Sequence, residues 1–387
     1  MNAPAVTVLA TLPPIKGLSA YTKQLLTALL REGPVDFIGF RRIYPRALFR
    51  GGSPFEEGDA LFTTLEHPGL RTWERLSWAN PLTWLQAGMR IRTPVLHVHW
   101  WTSALFPVLA TVMVVARLRG IRIVCTVHNV VGHESGPLDR LLSRVAIRLA
   151  HRWIVHSAAN RAQLVRRTGT PADRVTVVPH GTYGFYLTGA VDRATARRGL
   201  GVGNATVVYL YFGHIRRYKG IGVLLDAFRR LLDHDPDAFL VLAGQPWGDW
   251  PEIERAFADD ALLDRRVVRH LDFVPSSQVE QYFAAADALV LPYLEFESQS
   301  GPGSIALAAG LPVIASRVGG LPDLVVDERL LVEPGDAAGL ARALAVVAAD
   351  PGLPEARAAT RALAAHSGWA ECAELTRKVY RAAENRT

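Results

Sequence analysis

Two successive series of short apolar runs, each run followed by a helix-forming stretch, fill the 387-residue chain, and this alternation leaves few folds open. The first series contains AVTVLAT (5–11), VLHVHWW (95–101), IRIVCTVHN (121–129), RWIVHSA (152–158) and RVTVVPHG (174–181). The second contains ATVVYLYFG (205–213), FLVLAGQ (239–245), VVRHLDFV (267–274), ALVLPY (288–293), PVIASR (312–317) and RLLVEPG (329–335). Runs that are apolar throughout, rather than at every second position, belong to parallel sheets covered on both faces by helices. A chain of this length exceeds one ordinary core, so each series is expected to form its own α/β Rossmann-like domain, with the linker around Tyr183 to Val191. In such sheets ligands sit beyond the carboxyl ends of the strands. The loops after Thr11, His99, His128, Gly213, Gly244 and Tyr293 are therefore where chemistry is expected.

Composition narrows the class. With 49% apolar and 20% charged residues the chain is globular rather than disordered. The first residues, MNAPAVTVLATLPP, show neither a basic leader nor a cleavage site, so the protein is expected to remain inside the cell. Cys125 and Cys372 lack metal-ligand spacing and read as buried thiols. The longest apolar run, Ala104 to Ala116, includes Pro107 and falls short of the roughly 18 to 20 residues that cross a bilayer. Charge is asymmetric: up to Phe185 there are 22 Lys and Arg against 10 Asp and Glu, whereas the remainder has 21 against 26. A basic first half draws anionic lipid surfaces or phosphorylated ligands. Its arginines are dispersed and no nucleic-acid motif is present, which argues against nucleic acid. No G-x-G-x-x-G follows the first strand of either series, and GLGVGN (199–204) precedes a strand, so a nicotinamide enzyme is not expected.

Three loops have the grammar of anion cradles. In LPPIKGLSAY, Gly17 beside Lys16 allows backbone N–H groups to approach an anion at the start of the next helix. In FGHIRRYKG, Arg216, Arg217 and Lys219 cluster between a strand end and a helix start, a setting for a diphosphate. In EFESQSGPGSIALAAG, the amides from Ser298 to Ser304 form the third. TVHNVVGHE places His128 at the end of an apolar strand, followed by Asn129, His133 and Glu134. His97 and His99 share a strand face but lack a third ligand at zinc spacing, so no metal is expected.

Taken in order, PPIKG, FRRIYPRALFRGGS, TVHNVVGHE, VVPHG, FGHIRRYKG, FVPSSQVEQYFAAADALVLPY, QSGPGSIALAAGLPVIASRVGGLPDLV and GWAECAELTRKVY cover nearly the whole chain. In that order they resemble a family 4 retaining glycosyltransferase of the GT-B type, in a bacterial branch with QSG at Gln299 to Gly301. The resemblance implies two tandem Rossmann-like domains facing a cleft. Residues 1–185 would bind acceptor, 186–365 the nucleotide sugar, and 366–387 would form a terminal helix, carrying Trp369 and Tyr380, that crosses back to the first domain. It also implies that Arg216 and Lys219 neutralise the donor diphosphate, that His128 lies near the transferred sugar, and that Gly17 lies under the diphosphate. The family pattern has two glutamates eight positions apart. Here Glu297 takes the first position, or Glu295 with a shifted register, while Ile305 takes the second and cannot accept a ribose hydroxyl.

The expected reaction is transfer of a sugar, with retention, from a UDP- or GDP-sugar, with no cofactor or metal required. The catalytic candidates are His128, Glu297, Arg216 and Lys219; Lys16, Gly17, Gly213, Gly244, Glu295, Gln299, Ser300, Gly301 and Ile305 complete the donor set. Acceptor candidates are Arg41, Arg42, Tyr44, Arg46, His99, Trp100, Asn129 and His133. The stretch FRRIYPRALFR, with Arg50 at its end, and the apolar, basic-ended helix near Val108 to Arg119 suit docking on an anionic membrane and a polyprenyl-pyrophosphate-linked glycan. The protein is then cytoplasmic, at the inner face of the membrane. A soluble enzyme with a small acceptor, a sugar-nucleotide epimerase and a non-catalytic partner of the same fold are the rival readings.

Overall fold

A computed structural model describes residues 5–15, 18–43, 63–129, 136–247, 250–350 and 353–385. The chain forms two compact units, the first made of residues 1–181 with 368–387 and the second of residues 182–367.

Unit 1 contains strands β1 (Val6–Leu9), β2 (Val35–Arg42), β3 (Leu70–Ser77), β4 (Val95–Trp100), β5 (Arg122–Val127), β6 (Arg152–Val155) and β7 (Val175–Val177). Its helices are α1 (Ser19–Leu29), α2 (Pro81–Arg90), α3 (Phe106–Leu118), α4 (Pro137–Arg148), α5 (Ala158–Thr168) and the terminal helix Trp369–Glu384. The seven strands are parallel in the order β3-β2-β1-β4-β5-β6-β7. One face buries Val8, Phe37, Val95 and Val124 against α1 and the terminal helix; the other buries Leu96, Val98, Ile123 and Trp153 against α2, α3 and α4. The terminal helix thus belongs to unit 1: the thiol of Cys372 donates to the Pro179 carbonyl, and Tyr380 bonds His97. The apolar runs read from the sequence account for β1 and β4 to β7. Strands β2 and β3 were not among them. β3 is the edge strand, and its exposed Arg71, Glu74 and Arg75 give it the polar pattern by which edges avoid further pairing.

Unit 2 contains β8 (Val208–Phe212), β9 (Phe239–Ala243), β10 (Val267–His270), β11 (Ala288–Leu291), β12 (Val313–Ser316) and β13 (Leu331–Val332). Its helices are α6 (Arg193–Gly199), α7 (Ile221–Leu232), α8 (Trp250–Asp259), α9 (Ala261–Arg266), α10 (Ser276–Ala285), α11 (Gly301–Ala309), α12 (Ala337–Ala349) and α13 (Pro354–Ala365). The strands are again parallel, in the order β10-β9-β8-β11-β12-β13. Fully buried Asp287 holds this sheet to α6: it pairs with Arg193 and, at 2.6 Å, with Arg197, and accepts the Val208 N–H at 2.8 Å. A buried carboxylate needs such compensation, since its desolvation cost is otherwise large.

Candidate active site

In each sheet the strand order reverses next to the first strand, between β1 and β4 in unit 1 and between β8 and β11 in unit 2. At such a switch point the two connecting loops diverge, leaving a crevice at the carboxyl ends of the strands.

The unit 2 crevice is cationic. Lys219 is almost buried, its ammonium 5.3 Å from the centre of the Tyr293 ring, and its pKa is lowered to about 8, first by burial and then by the neighbouring charge of Arg216. The Arg216 guanidinium stacks 4.0 Å over the Trp247 ring. No carboxylate pairs with Lys219 or Arg216 among the described residues. Two cations held together without a counter-ion make a site for a multiply charged anion. The backbone is shaped to admit one. Gly220, with φ 70°, ends the turn that carries Lys219, and a side chain there would collide with the Pro292 carbonyl. Gly244, with φ 142°, lies so close to Gly213 that a Cβ would overlap the Gly213 oxygen. Both positions need glycine, for conformation and for space.

Helix α11 closes this crevice. Ser300 is its N-cap, accepting the Gly303 N–H at 3.2 Å. Pro302 sits in its first turn, where a missing N–H costs nothing. The Tyr293 hydroxyl bonds the Ser300 side chain, and that ring also packs against Tyr218 and Phe296, so one aromatic residue joins the Lys219 turn to the start of α11. The loop before α11 is braced from below: a Cβ on Gly319 would collide with the Phe296 carbonyl, and one on Gly320 with the Gln299 amide. Within that loop Glu295 is exposed, while Glu297 and Gln299 are half-buried. Burial raises the pKa of the nearby Tyr218 phenol; Arg216 opposes that rise and Glu295 adds to it. Ile305 is packed in the unit 2 core.

The unit 1 crevice is neutral. Side chains from the ends of four neighbouring strands form a row: buried His99 on β4, His128 after β5 and His156 after β6, with half-buried His180 after β7. The Val178 carbonyl can only accept, so His156 Nδ1–H donates to it at 3.0 Å. His156 Nε2 is then a bare acceptor for His128 Nδ1–H at 3.3 Å, and His128 Nε2 in turn accepts from His99 Nδ1–H at 3.1 Å. One carbonyl thereby sets the tautomer of three rings. The row ends at His99 Nε2, an acceptor with no hydrogen-bond partner among the described residues. Thr11 Oγ1, Ser19 Oγ, Thr22 Oγ1 and Asn129 Oδ1, at the end of β1, the start of α1 and the end of β5, are likewise buried and unpartnered among the described residues. Each such group costs about 1–3 kcal/mol unless a water or a ligand hydroxyl satisfies it. Burial lowers the pKa of every histidine in the row, with the like-charged neighbours second for His99, His128 and His180. His97, bonded to Tyr380 and Thr126 at 2.7 Å each, is lowered to about 3 for the same reasons.

The sequence-derived candidates separate clearly. Arg216, Lys219, Gly213, Gly244, Ser300 and Gly301 converge at the unit 2 switch point, with Glu297 and Gln299 in the adjoining loop. His99, His128 and Asn129 converge in unit 1. Trp100 does not join them: its ring lies in the core among α3 and β5 residues, because alternate side chains of β4 face opposite sides of the sheet. Arg41 and Arg42 are exposed at the end of β2. Lys16, Gly17, Tyr44, Arg46, Arg50, His133 and Glu134 lie outside the described residues. Sequence reasoning passed over Tyr293, Trp247, His156, His180 and the hydroxyls of Thr11, Ser19 and Thr22. The two histidines carried a signal, since HSA and PHG follow strands as HNV does and parallel neighbours bring such ends side by side.

Comparison with known proteins gives this geometry a family. Residues 15–182 match the model of Glycosyltransferase Family 4, and residues 206–350 match that of Glycosyl transferases group 1. A D-inositol 3-phosphate glycosyltransferase of Streptomyces scabiei is 33% identical over 75% of this chain and 68% of its own length. A glycogen synthase of Mycobacterium tuberculosis is 30% identical over 96% of this chain and 92% of its own. The chain is a family 4 glycosyltransferase. Among solved structures, Anabaena HepE in complex with UDP superposes on this glycosyltransferase with a TM-score of 0.72 at 18% identity, covering 97% of this chain and 99% of that one. Sucrose-phosphate synthase from Thermosynechococcus elongatus gives 0.72 at 21%, covering 98% and 99%. The fold is therefore of the GT-B type, two parallel-sheet α/β domains.

Proposed function

We propose that this glycosyltransferase moves a sugar from a nucleoside diphosphate donor, UDP- or GDP-linked, to an acceptor hydroxyl with retention of configuration. In this reading unit 2 holds the donor and unit 1 recognises the acceptor. The observation that carries it is the pair Lys219 and Arg216, fixed at a strand-order switch point without a carboxylate partner among the described residues. Neighbours of the same fold with UDP or ADP bound support a nucleoside diphosphate there. As the bond from the sugar's anomeric carbon to the diphosphate breaks, charge grows on the leaving oxygen. The acceptor oxygen bonds to the same face of the sugar, and its proton passes to the departing phosphate. Lys219, Arg216 and the α11 amides stabilise that charge; removing one such preorganised donor typically costs about 10²- to 10³-fold in rate. The scheme calls for no metal ion. Glu297, or Glu295, faces the sugar. The buried hydroxyls and His99 Nε2 of unit 1 suit a hydroxyl-bearing partner, and His128 acts by orienting His99 through the histidine row. The acceptor is a glycan or a lipid-linked glycan. A small phosphorylated polyol is the second reading, favoured by the relative named for D-inositol 3-phosphate.

The test is a melting-temperature panel with UDP, GDP and ADP on the wild type and Lys219→Ala, followed by turnover with the corresponding sugars and NMR of the product anomer. Stabilisation by one nucleotide that vanishes in the variant supports the reading. Equal stabilisation of both proteins sinks the diphosphate assignment, and an inverted product sinks retention.

A further inference from the structure

Unit 1 presents an apolar surface that the sugar-transfer chemistry does not use. Eight of the ten most exposed large apolar side chains among the described residues lie on the three helices α2, α3 and α4. On α2 they are Leu82, Leu85 and Met89; on α3, Val114 and Leu118; on α4, Leu138, Leu141 and Val145. Spacings of three, four and seven residues put each set on one helix face. The three helices cover the same side of the sheet, and their opposite faces, with Ala87, Val112 and Ile147, enter one core. All three exposed stripes therefore point away from that sheet. α2 and α3 approach closely, since a Cβ on Gly88 would stand 2.6 Å from Val115, so their stripes adjoin. Exposure is high where it matters: 66% at Leu82, 83% at Leu118 and 65% at Leu138. Single exposed leucines are ordinary, but a contiguous set of this size marks a surface that is covered in use.

The charges around the stripes define the partner. Between residues 81 and 148 there are eight arginines against Glu134 and Asp139. Arg90, Arg117, Arg140, Arg144 and Arg148 are exposed on the same three helices, and no carboxylate pairs with them among the described residues. Beside the α2 stripe, and sharing Met89 with it, is a cavity of about 700 Å³ lined by Arg71, Arg75, Arg90 and Arg92. Asp36, the one lining carboxylate among the described residues, has a pKa raised by burial, with Arg71 and Arg90 opposing that rise. A second copy of this chain would set these arginines against their equivalents, a repulsive arrangement. An anionic bilayer meets both features, taking the leucines among its acyl chains and the arginines at its phosphates. No described helix is long and apolar enough to cross a membrane, so contact is with one surface.

We infer that unit 1 docks on anionic lipid bilayers through the outward faces of α2, α3 and α4, with the arginine-lined cavity beside α2 receiving lipid phosphate. The sequence pointed to FRRIYPRALFR, most of which lies outside the described residues, and to the helix near Val108 to Arg119, which is α3; the exposed stripes extend that surface to α2 and α4. It rests on no feature of the donor site.

The full chain is sedimented with phosphatidylcholine vesicles and with vesicles containing about one third phosphatidylglycerol. The wild type is expected to pellet with the anionic vesicles only, and less as salt is raised. Leu85→Glu, Leu118→Glu and Leu141→Glu together, one exposed change per helix, should lower partitioning at least tenfold with an unchanged melting temperature. Arg117→Glu with Arg140→Glu, which leaves the apolar stripes intact, should also lower it, so the inference stays open to refutation if the triple variant misfolds. Lys219→Ala should bind vesicles like the wild type, which separates this proposal from the donor reading. Wild type that stays in the supernatant overturns the inference, as do variants that pellet normally. A lipid-free dimer abolished by the triple variant would also overturn it, showing the face to be a self-interface.

Discussion

The two switch points share one architecture and hold opposite chemistry. In unit 2 the strand ends meet at Lys219 and Arg216, cations braced by Tyr293 and Trp247. In unit 1 the equivalent position carries a row of neutral histidines and buried hydroxyls, with Tyr21 packed edge-on to His99 and His128. Parallel sheets deliver whatever follows each strand to one place. The fold supplies the convergence, and the residue after each strand decides between an anion site and a hydroxyl site. Fixed cations remain charged near neutral pH and attract phosphate over distance, whereas imidazoles kept neutral by burial can only accept or donate single hydrogen bonds.

The contrast breaks most visibly in acid. His97 and His180 are lowered to about 3 and His156 to about 4, and His99 and His128 lie well below 6.5, so the folded unit 1 excludes protons that the unfolded chain binds. Groups with depressed folded pKa values contribute stability that is complete above about pH 6.5 and lost as pH falls toward the folded values. Unit 1 should therefore lose stability progressively as pH falls below about 6.5, each excluded proton contributing at most about 1.4 kcal/mol per pH unit. Hydrogen exchange near neutral pH and in mild acid should show unit 1 opening first in acid; unit 2 opening first would end the comparison.

Lys219→Ala should reduce turnover by about 10²- to 10³-fold, about 3–4 kcal/mol, while exchange protection in unit 1 is unchanged. Because the pKa of Lys219 is lowered to about 8, nucleotide affinity should fall as pH rises through that value, approaching about tenfold per unit above it. Calorimetric titration with a nucleoside diphosphate across that range reads this directly, and a flat profile would remove Lys219 from the phosphate site. The smallest effect is expected of Tyr380→Phe. It deletes the 2.7 Å bond to His97. The change leaves a buried imidazole nitrogen short of a partner, costing about 1 kcal/mol in urea unfolding without altering nucleotide binding.

Much of this protein was legible in the sequence, and the gaps have physical causes. Continuous apolar runs identified the buried strands from β4 to β13, because a strand covered on both faces has no polar positions to spare. The same rule hid the edge strand β3, which exposes Arg71, Glu74 and Arg75, whereas β2 is mostly buried and was missed because Asp36 and Gly39 interrupt its apolar run. Arg216 and Lys219 stood out as a basic cluster between strand and helix, yet their supports did not. Tyr293 and Trp247 come from the ends of other strands, and nothing local in the chain says that those ends meet. Of the three exposed stripes only the apolar α3 was legible; those of α2 and α4 were silent, since a leucine facing outward and one facing inward read alike until the sheet beneath fixes which side is in.

By itself the sequence determined two parallel α/β units, the basic character of the first and the cationic loop of the second, since these follow from residue type and spacing along the chain. The tertiary structure alone decided which strand ends are neighbours, and with that the shared tautomer of the histidine row, the bracing of Lys219 by Tyr293 and the face on which the leucines are left uncovered. Those properties depend on strand order, which is set by packing between segments far apart in sequence and leaves no local mark.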